Sequence, residues 1–190
     1  MKCKMALCQM VTRPDVQDNY DTARDLLAEA ARQQQYDRKR EQMDNNGRNM
    51  APDNAMIERL CALAAEMRER SYVPYSKFHV GAALLAKDGR IFTGCNVENA
   101  SFPMGTCAER TAFVKAVSEG AREFTAIAIC GGPEDGELQY CPPCGLCRQI
   151  MAEFCEGDFL VYLAKAPADY EVYTLDEILP NRFTGSNLYA

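Results

Sequence analysis

Two uninterrupted apolar runs, FTAIAIC (Phe124 to Cys130) and FLVYLA (Phe159 to Ala164), constrain the fold more tightly than any other feature of the chain. A half-exposed strand alternates apolar with polar side chains, whereas a strand covered on both faces reads as a continuous apolar run. Both faces of the resulting sheet therefore need cover, and the intervening sequence supplies helices. FHVGAALLA and IFTGCNV, joined across Lys87-Asp88-Gly89-Arg90, read as a hairpin with Asp-Gly at its turn. A helix is predicted from a cap at Asp53 or Asn54, because Ile57, Leu60, Cys61, Ala64 and Met67 recur at a period of about 3.6 residues. A second helix begins at Cys107 and stops near Gly120, and a third begins within PCGLCRQIMAEF. Strands alternating with helices predict an α/β chain, a three-layer α/β/α sandwich around a mixed sheet.

The 190 residues suit one domain, or a domain with an appendage, and 47% hydrophobic content is enough to bury a core. A net charge of −6 argues against a nucleic-acid partner but leaves a neutral, nucleoside-sized ligand open. Composition changes near residue 52. Before it stand the short apolar stretch KMALCQM and a helical pattern from Asn19 to about Ala31, with Ala23, Leu26, Leu27 and Ala30 on one face. Gln33 to Asn54 is polar and reads as an exposed helix tail and linker. The first apolar run is too short and too polar for a secretory signal, and no run is long enough to span a bilayer, so a cytoplasmic protein with no membrane partner is expected. Ten cysteines in such a chain point to metal ligation, catalysis or burial rather than to disulfides.

Cys107 opens TCAERTAFVKAV, and Cys144 and Cys147 open the helix that follows. A spacing of three at a helix start puts the two sulfurs on one side of the first turn. Zinc prefers four ligands in a tetrahedron; Cys107 would be a third, and the sole histidine, His79, lies in a strand pattern. Three ligands and a vacancy for water describe a catalytic zinc site, and Glu109 would stand beside that water. Three thiolates overcompensate a doubly charged ion, and two helix N-termini aimed at the sulfurs would offset the excess. Arg110 and Arg148 are placed to donate to the sulfurs as well. Spacing leaves alternatives: the pair could be a redox couple, and CPPCGLC also offers Cys141-x-x-Cys144. Cys61, Cys95, Cys130 and Cys155 read as buried thiols.

YVPYSKFHVGAALL, GCNVENASF, TCAERTA and PCGLCRQ, in that order between about Asp53 and Phe183, closely resemble the homotetrameric, three-cysteine class of cytidine deaminases. The resemblance implies a five-stranded sheet, one zinc per subunit on Cys107, Cys144 and Cys147, and Glu109 as the proton shuttle. It implies hydrolysis of cytidine and deoxycytidine to uridine and deoxyuridine in pyrimidine salvage, with ammonia released. Phe78 would pack on the base, the backbone around Ala108 would hydrogen-bond it, and Asn96 and Glu98 would hold the sugar. Phe183 matches an aromatic that reaches the site of a neighbouring subunit. Two other readings are a deaminase of another aminopyrimidine, such as blasticidin S, and a non-catalytic zinc-binding partner subunit. The NVEN sugar signature argues against the first, and the complete set of ligands with Glu109 argues against the second.

The stretch GGPEDGELQYCPP is longer than the family pattern. Residues 1–52 have no place in that family and form an extension and linker without assigned activity, whereas 53–190 form the deaminase domain. CKMALCQMVTRPDVQDNYDTARDLLAEAA is similar to the opening strand and helix of nitrilase-type carbon–nitrogen hydrolases, but no later motif of those enzymes follows.

Overall fold

The computed structural model describes residues 21–27, 30, 31, 34 and 51–188. The chain divides into two units, Met1–Asn46 and Gly47–Ala190. In the first, residues 21–27, 30 and 31 are helical, within the segment where apolar spacing predicts a helix, and Gln34, in the expected helix tail, is helical as well. Leu27, expected on its apolar face, is instead 64% exposed. The KMALCQM stretch and the Gln33 to Asn54 linker lie outside the described residues, apart from residue 34 and residues from 51 onward.

The second unit opens with α1 (Asn54–Arg68), whose cap is Asp53: its carboxylate accepts from the Met56 amide at 2.8 Å. Ile57, Leu60, Cys61 and Ala64 form its buried stripe. β1 (Phe78–Ala86) and β2 (Ile91–Cys95) are the predicted hairpin, with Gly89 at φ 87 in the left-handed conformation the turn requires. α2 (Ala108–Ser118) ends at Gly120, φ 88. β3 (Phe124–Pro133), α3 (Gly145–Phe154) and β4 (Leu160–Ala166) follow. β5 (Asp169–Thr174) and the short α4 (Leu175–Ile178) complete the unit. The sheet order is β2-β1-β3-β4-β5, with β3 and β4 parallel and the remaining neighbours antiparallel, a mixed five-stranded sheet.

Alternation along β1 separates the two faces. A Cβ on Gly81 would meet the Ala64 and Arg68 backbone, so odd positions face α1. Ala82 and Leu84 belong instead to the core cluster shared with α2, α3, Ile127, Ile129, Val161 and Leu163. Helices thus cover both faces, which is why β3 and β4 could be apolar along most of their length. The α2–α3 side is locked by aromatics: Phe113 lies 5.1 Å from Phe124 and 6.1 Å from Phe154, centroid to centroid. Phe113 and Phe124, both buried, each stabilise the fold by about 2–3 kcal/mol. This cluster anchors the bodies of two helices that are each capped by a cysteine. Among the described residues no helix is long and apolar enough to cross a membrane.

Candidate metal centre

Cys107 and Cys144 are the N-cap residues of α2 and α3. A helix cap is ordinarily a serine, threonine, aspartate or asparagine whose oxygen accepts a free first-turn amide. Neither cysteine makes such a bond, and both have extended backbones, at φ −75 and −68. Their sulfurs point instead at one another, 3.9 Å apart, and Cys144 Sγ lies 3.5 Å from Cys147 Sγ. All three sulfurs fall within 4.8 Å of one another. Zinc–sulfur bonds of about 2.3 Å in a tetrahedron separate sulfurs by about 3.8 Å, so the three side chains fit that ion. Cys141 is not in the group. It packs against Gly131, and burial pushes its thiol up to about 11, which keeps it protonated.

Cys107 and Cys147 are shifted in opposite directions. The Cys107 thiol is held down to about 5, chiefly because the Cys147 thiol donates to it, with Arg110 and Cys144 adding smaller contributions. Cys147, which donates that proton and is fully buried, is correspondingly held up. Arg110 Nη2 sits 3.9 Å from Cys107 Sγ while bonding the Gly105 carbonyl at 2.8 Å, the donor role expected of it. Arg148 departs from expectation. Its Nε donates to the Pro143 carbonyl at 2.8 Å and its Nη1 to that of Ile178 at 2.7 Å. It thus ties the chain entering α3 to the end of α4 instead of donating to a sulfur.

Glu109, in the first turn of α2, is only 4% exposed. Burial raises its carboxyl from 4.5 to about 7, negative charge at Cys107 adds to the rise, and a hydrogen bond with Cys147 works against it. A carboxyl that changes protonation state near neutrality can both take and give a proton.

The remaining predicted residues surround the start of β1. Phe78 is half-buried and shares the face of Val80 and Ala82 by alternation. Asn96 brackets His79: its Oδ1 accepts from the Val80 amide and its Nδ2 donates to the Phe78 carbonyl, both at 2.9 Å. One amide hydrogen of Asn96 remains for another acceptor. Glu98 Oε2 accepts from the amides of Tyr75 and Ser76 at 3.0 and 3.1 Å, which leaves Oε1 available. Ala108 is fully buried at the first position of α2. Phe183 is 57% exposed, and its carbonyl accepts from Gln149 Nε2 of α3 at 2.9 Å.

Several other residues support the site. Thr111 Oγ1 reaches the Cys95 carbonyl at 3.1 Å, and Lys115 Nζ the Thr93 carbonyl at 2.6 Å, fastening α2 along β2. The long stretch before Cys144 is pinned through Tyr140. Its hydroxyl lies 2.6 Å from Asp169 Oδ1, and Lys165 Nζ stands 4.1 Å from its ring centroid.

The family description "Cytidine and deoxycytidylate deaminase zinc-binding region" matches residues 55–163. The cytidine deaminase of Sporosarcina psychrophila is 51% identical over 132 residues, 70% of this chain and 94% of that protein. The cytidine deaminase of Halalkalibacterium halodurans is 49% identical over 125 residues, 66% of this chain and 92% of its own length. Among solved structures, cytidine deaminase from Burkholderia pseudomallei superposes with a TM-score of 0.59 at 44% identity, covering 66% of this chain and 97% of that one. With three converging sulfurs at two helix starts and a buried glutamate one step away, the chain belongs to the cytidine and deoxycytidylate deaminase family of zinc-binding proteins.

Proposed function

We propose that this chain is a zinc-dependent hydrolase that deaminates cytidine and deoxycytidine to uridine and deoxyuridine, with release of ammonia. One observation carries the reading: Glu109, buried in the first turn of α2, stands beside Cys107, whose sulfur converges with those of Cys144 and Cys147. Those three cysteines would hold the ion. Zinc, when bound, supplies a Lewis acid that brings the pKa of a water near neutrality.

Glu109 takes a proton from the attacking water and delivers protons to ring N3 and to the departing amine. Its burial keeps bulk water from competing for that proton. Free amides at the start of α2, around Ala108, face the base, Phe78 packs on the ring, and Asn96 and Glu98 take the sugar hydroxyls through their free N–H and Oε1. Arg110 steadies the charge on Cys107.

The same reading makes the protein a cytoplasmic enzyme of pyrimidine salvage and a homotetramer in which Phe183 serves a neighbouring subunit. Exposed Phe102, Met104, Leu146 and Phe183, each more than half accessible, support self-association. The domain boundary near residue 53 is supported by the family match, which begins at residue 55. The deciding experiment combines zinc stoichiometry, native mass and the loss of cytidine absorbance on adding protein. A folded, zinc-loaded protein inert toward cytidine and deoxycytidine overturns the reading.

A further inference from the structure

His79 is the sole histidine of the chain, and by strand alternation it faces α1, opposite to Phe78. Ser71 Oγ lies 2.7 Å from the Arg68 carbonyl oxygen and 2.6 Å from His79 Nδ1. A carbonyl only accepts and a hydroxyl carries one hydrogen, so Ser71 donates to Arg68 and must accept from Nδ1. The ring is thereby fixed with its hydrogen on Nδ1. In the neutral form Nε2 is a bare acceptor, which matches its burial without a hydrogen-bond partner among the described residues. Glu134 Oε1 stands 3.8 Å from it.

The segment closed by this bond is the one that presents the nucleoside contacts. It runs from Ser71 to His79 and passes through Lys77, a non-glycine residue at φ 56. The Lys77 amide donates to the Val73 carbonyl at 3.3 Å, and the Lys77 carbonyl accepts from the Glu134 amide at 2.8 Å. Glu98 holds Tyr75 and Ser76 from one side, Asn96 brackets the His79 main chain, and Arg68 Nη2 fixes the neighbouring Pro133 carbonyl at 2.8 Å. The main chain of His79 is therefore clamped to the sugar-side asparagine while its side chain is clamped to the far end of the loop.

We propose that His79 is a positioning residue for nucleoside binding: by donating Nδ1–H to Ser71 it closes the 71–79 loop and sets Phe78, Asn96 and Glu98 against the substrate. This rests on the nucleoside-deaminase reading above. Because none of these atoms touches the reacting centre, the effect falls on KM and spares kcat.

The test uses the full chain with any purification tag removed. Nitrogen-15 histidine labelling gives one ring, and in its neutral form the Nδ1–H tautomer is expected; the Nε2–H tautomer overturns the proposal. His79→Ala and Ser71→Ala should each raise KM for cytidine about three- to tenfold with zinc content and kcat unchanged, and the double variant should add nothing further. His79→Asn, whose amide nitrogen occupies the Nδ1 position, should restore KM to within about twofold. Equal KM in the alanine and asparagine variants, or a loss carried by kcat, overturns the proposal while leaving the deaminase reading intact. An inert wild-type protein defeats both.

Discussion

A Cβ on Gly94 would stand 2.4 Å from the carbonyl oxygen of Ala108. Strand β2 and the first turn of α2 therefore meet backbone to backbone, at the turn that carries Cys107 and Glu109. The same added atom would lie 2.6 Å from the Ala112 amide nitrogen, so no side-chain rotation relieves it. Gly94→Ala should push α2 off the sheet, destabilising the fold by about 1–3 kcal/mol and lowering kcat/KM by about 100-fold through misplacement alone. Gly145→Ala, with open space around its Cβ, is the control and should be near neutral. Thermal melts and cytidine turnover on both variants check this.

Glu109→Gln keeps the shape of the side chain and removes its proton traffic. Zinc content should stay at the wild-type level while kcat falls by about 100-fold or more. Full activity in that variant would remove the carboxyl from the chemistry.

The four cysteines near the site separate by substitution. Serine at 107, 144 or 147 should abolish stoichiometric zinc and lower the melting temperature of the zinc-supplemented protein. Cys141→Ser should retain zinc, since that thiol lies outside the converging group and stays protonated. Metal analysis of the four purified variants decides; zinc lost from the Cys141 variant and kept by the Cys147 variant would reverse the ligand assignment.

Glu98 carries a pH dependence whose sign follows from its partners. Hydrogen bonds from Ser76 and the Tyr75 backbone hold its carboxyl below the ordinary 4.5. A depressed value means its hold on the loop is fully present above pH 4.5 and lost as pH falls through the lower folded value. Hydrogen-exchange protection of the Tyr75 and Ser76 amides should follow that course, and Glu98→Gln should raise KM for cytidine by about tenfold with kcat preserved.

Removal of the first unit tests the division of the chain. A protein beginning at Gly47 retains Asp53 and every residue of the second unit. It should fold, bind zinc and turn over cytidine within about threefold of the full chain. Failure to fold would make the first unit an integral part of the enzyme.

Most of this architecture was legible because burial on both faces leaves a compositional mark. FTAIAIC and FLVYLA are β3 and β4, and the spacing from Ile57 to Ala64 is the buried stripe of α1. β5 left no such mark. DYEVYT is an edge strand with one buried residue, Val172, and two acidic side chains, so its place depends on pairing with β4. The α4 helix did carry a signal: Thr174 and Glu177 form a capping box, readable as T-x-x-E. At the site, cysteine spacing found the converging group, but the choice between Cys141 and Cys147 needed either kinship or coordinates. Arg148 shows the limit of spacing, since a long guanidinium reaches whichever carbonyl the fold brings near, here that of Ile178. The Ser71–His79 bond and Glu134 were invisible for the same reason: a hydroxyl, a ring and a carboxylate from three segments leave no pattern along the chain.

The two N-cap cysteines leave α2 and α3 without the oxygen that would normally clasp a first turn. Stripping the ion would unfasten both helix starts together, in the turn that also holds Glu109. Metal loading would then be the closing step of folding at this end of the molecule, and a chelated enzyme should regain activity at the pace of that local rebuilding and not at the speed of ion diffusion.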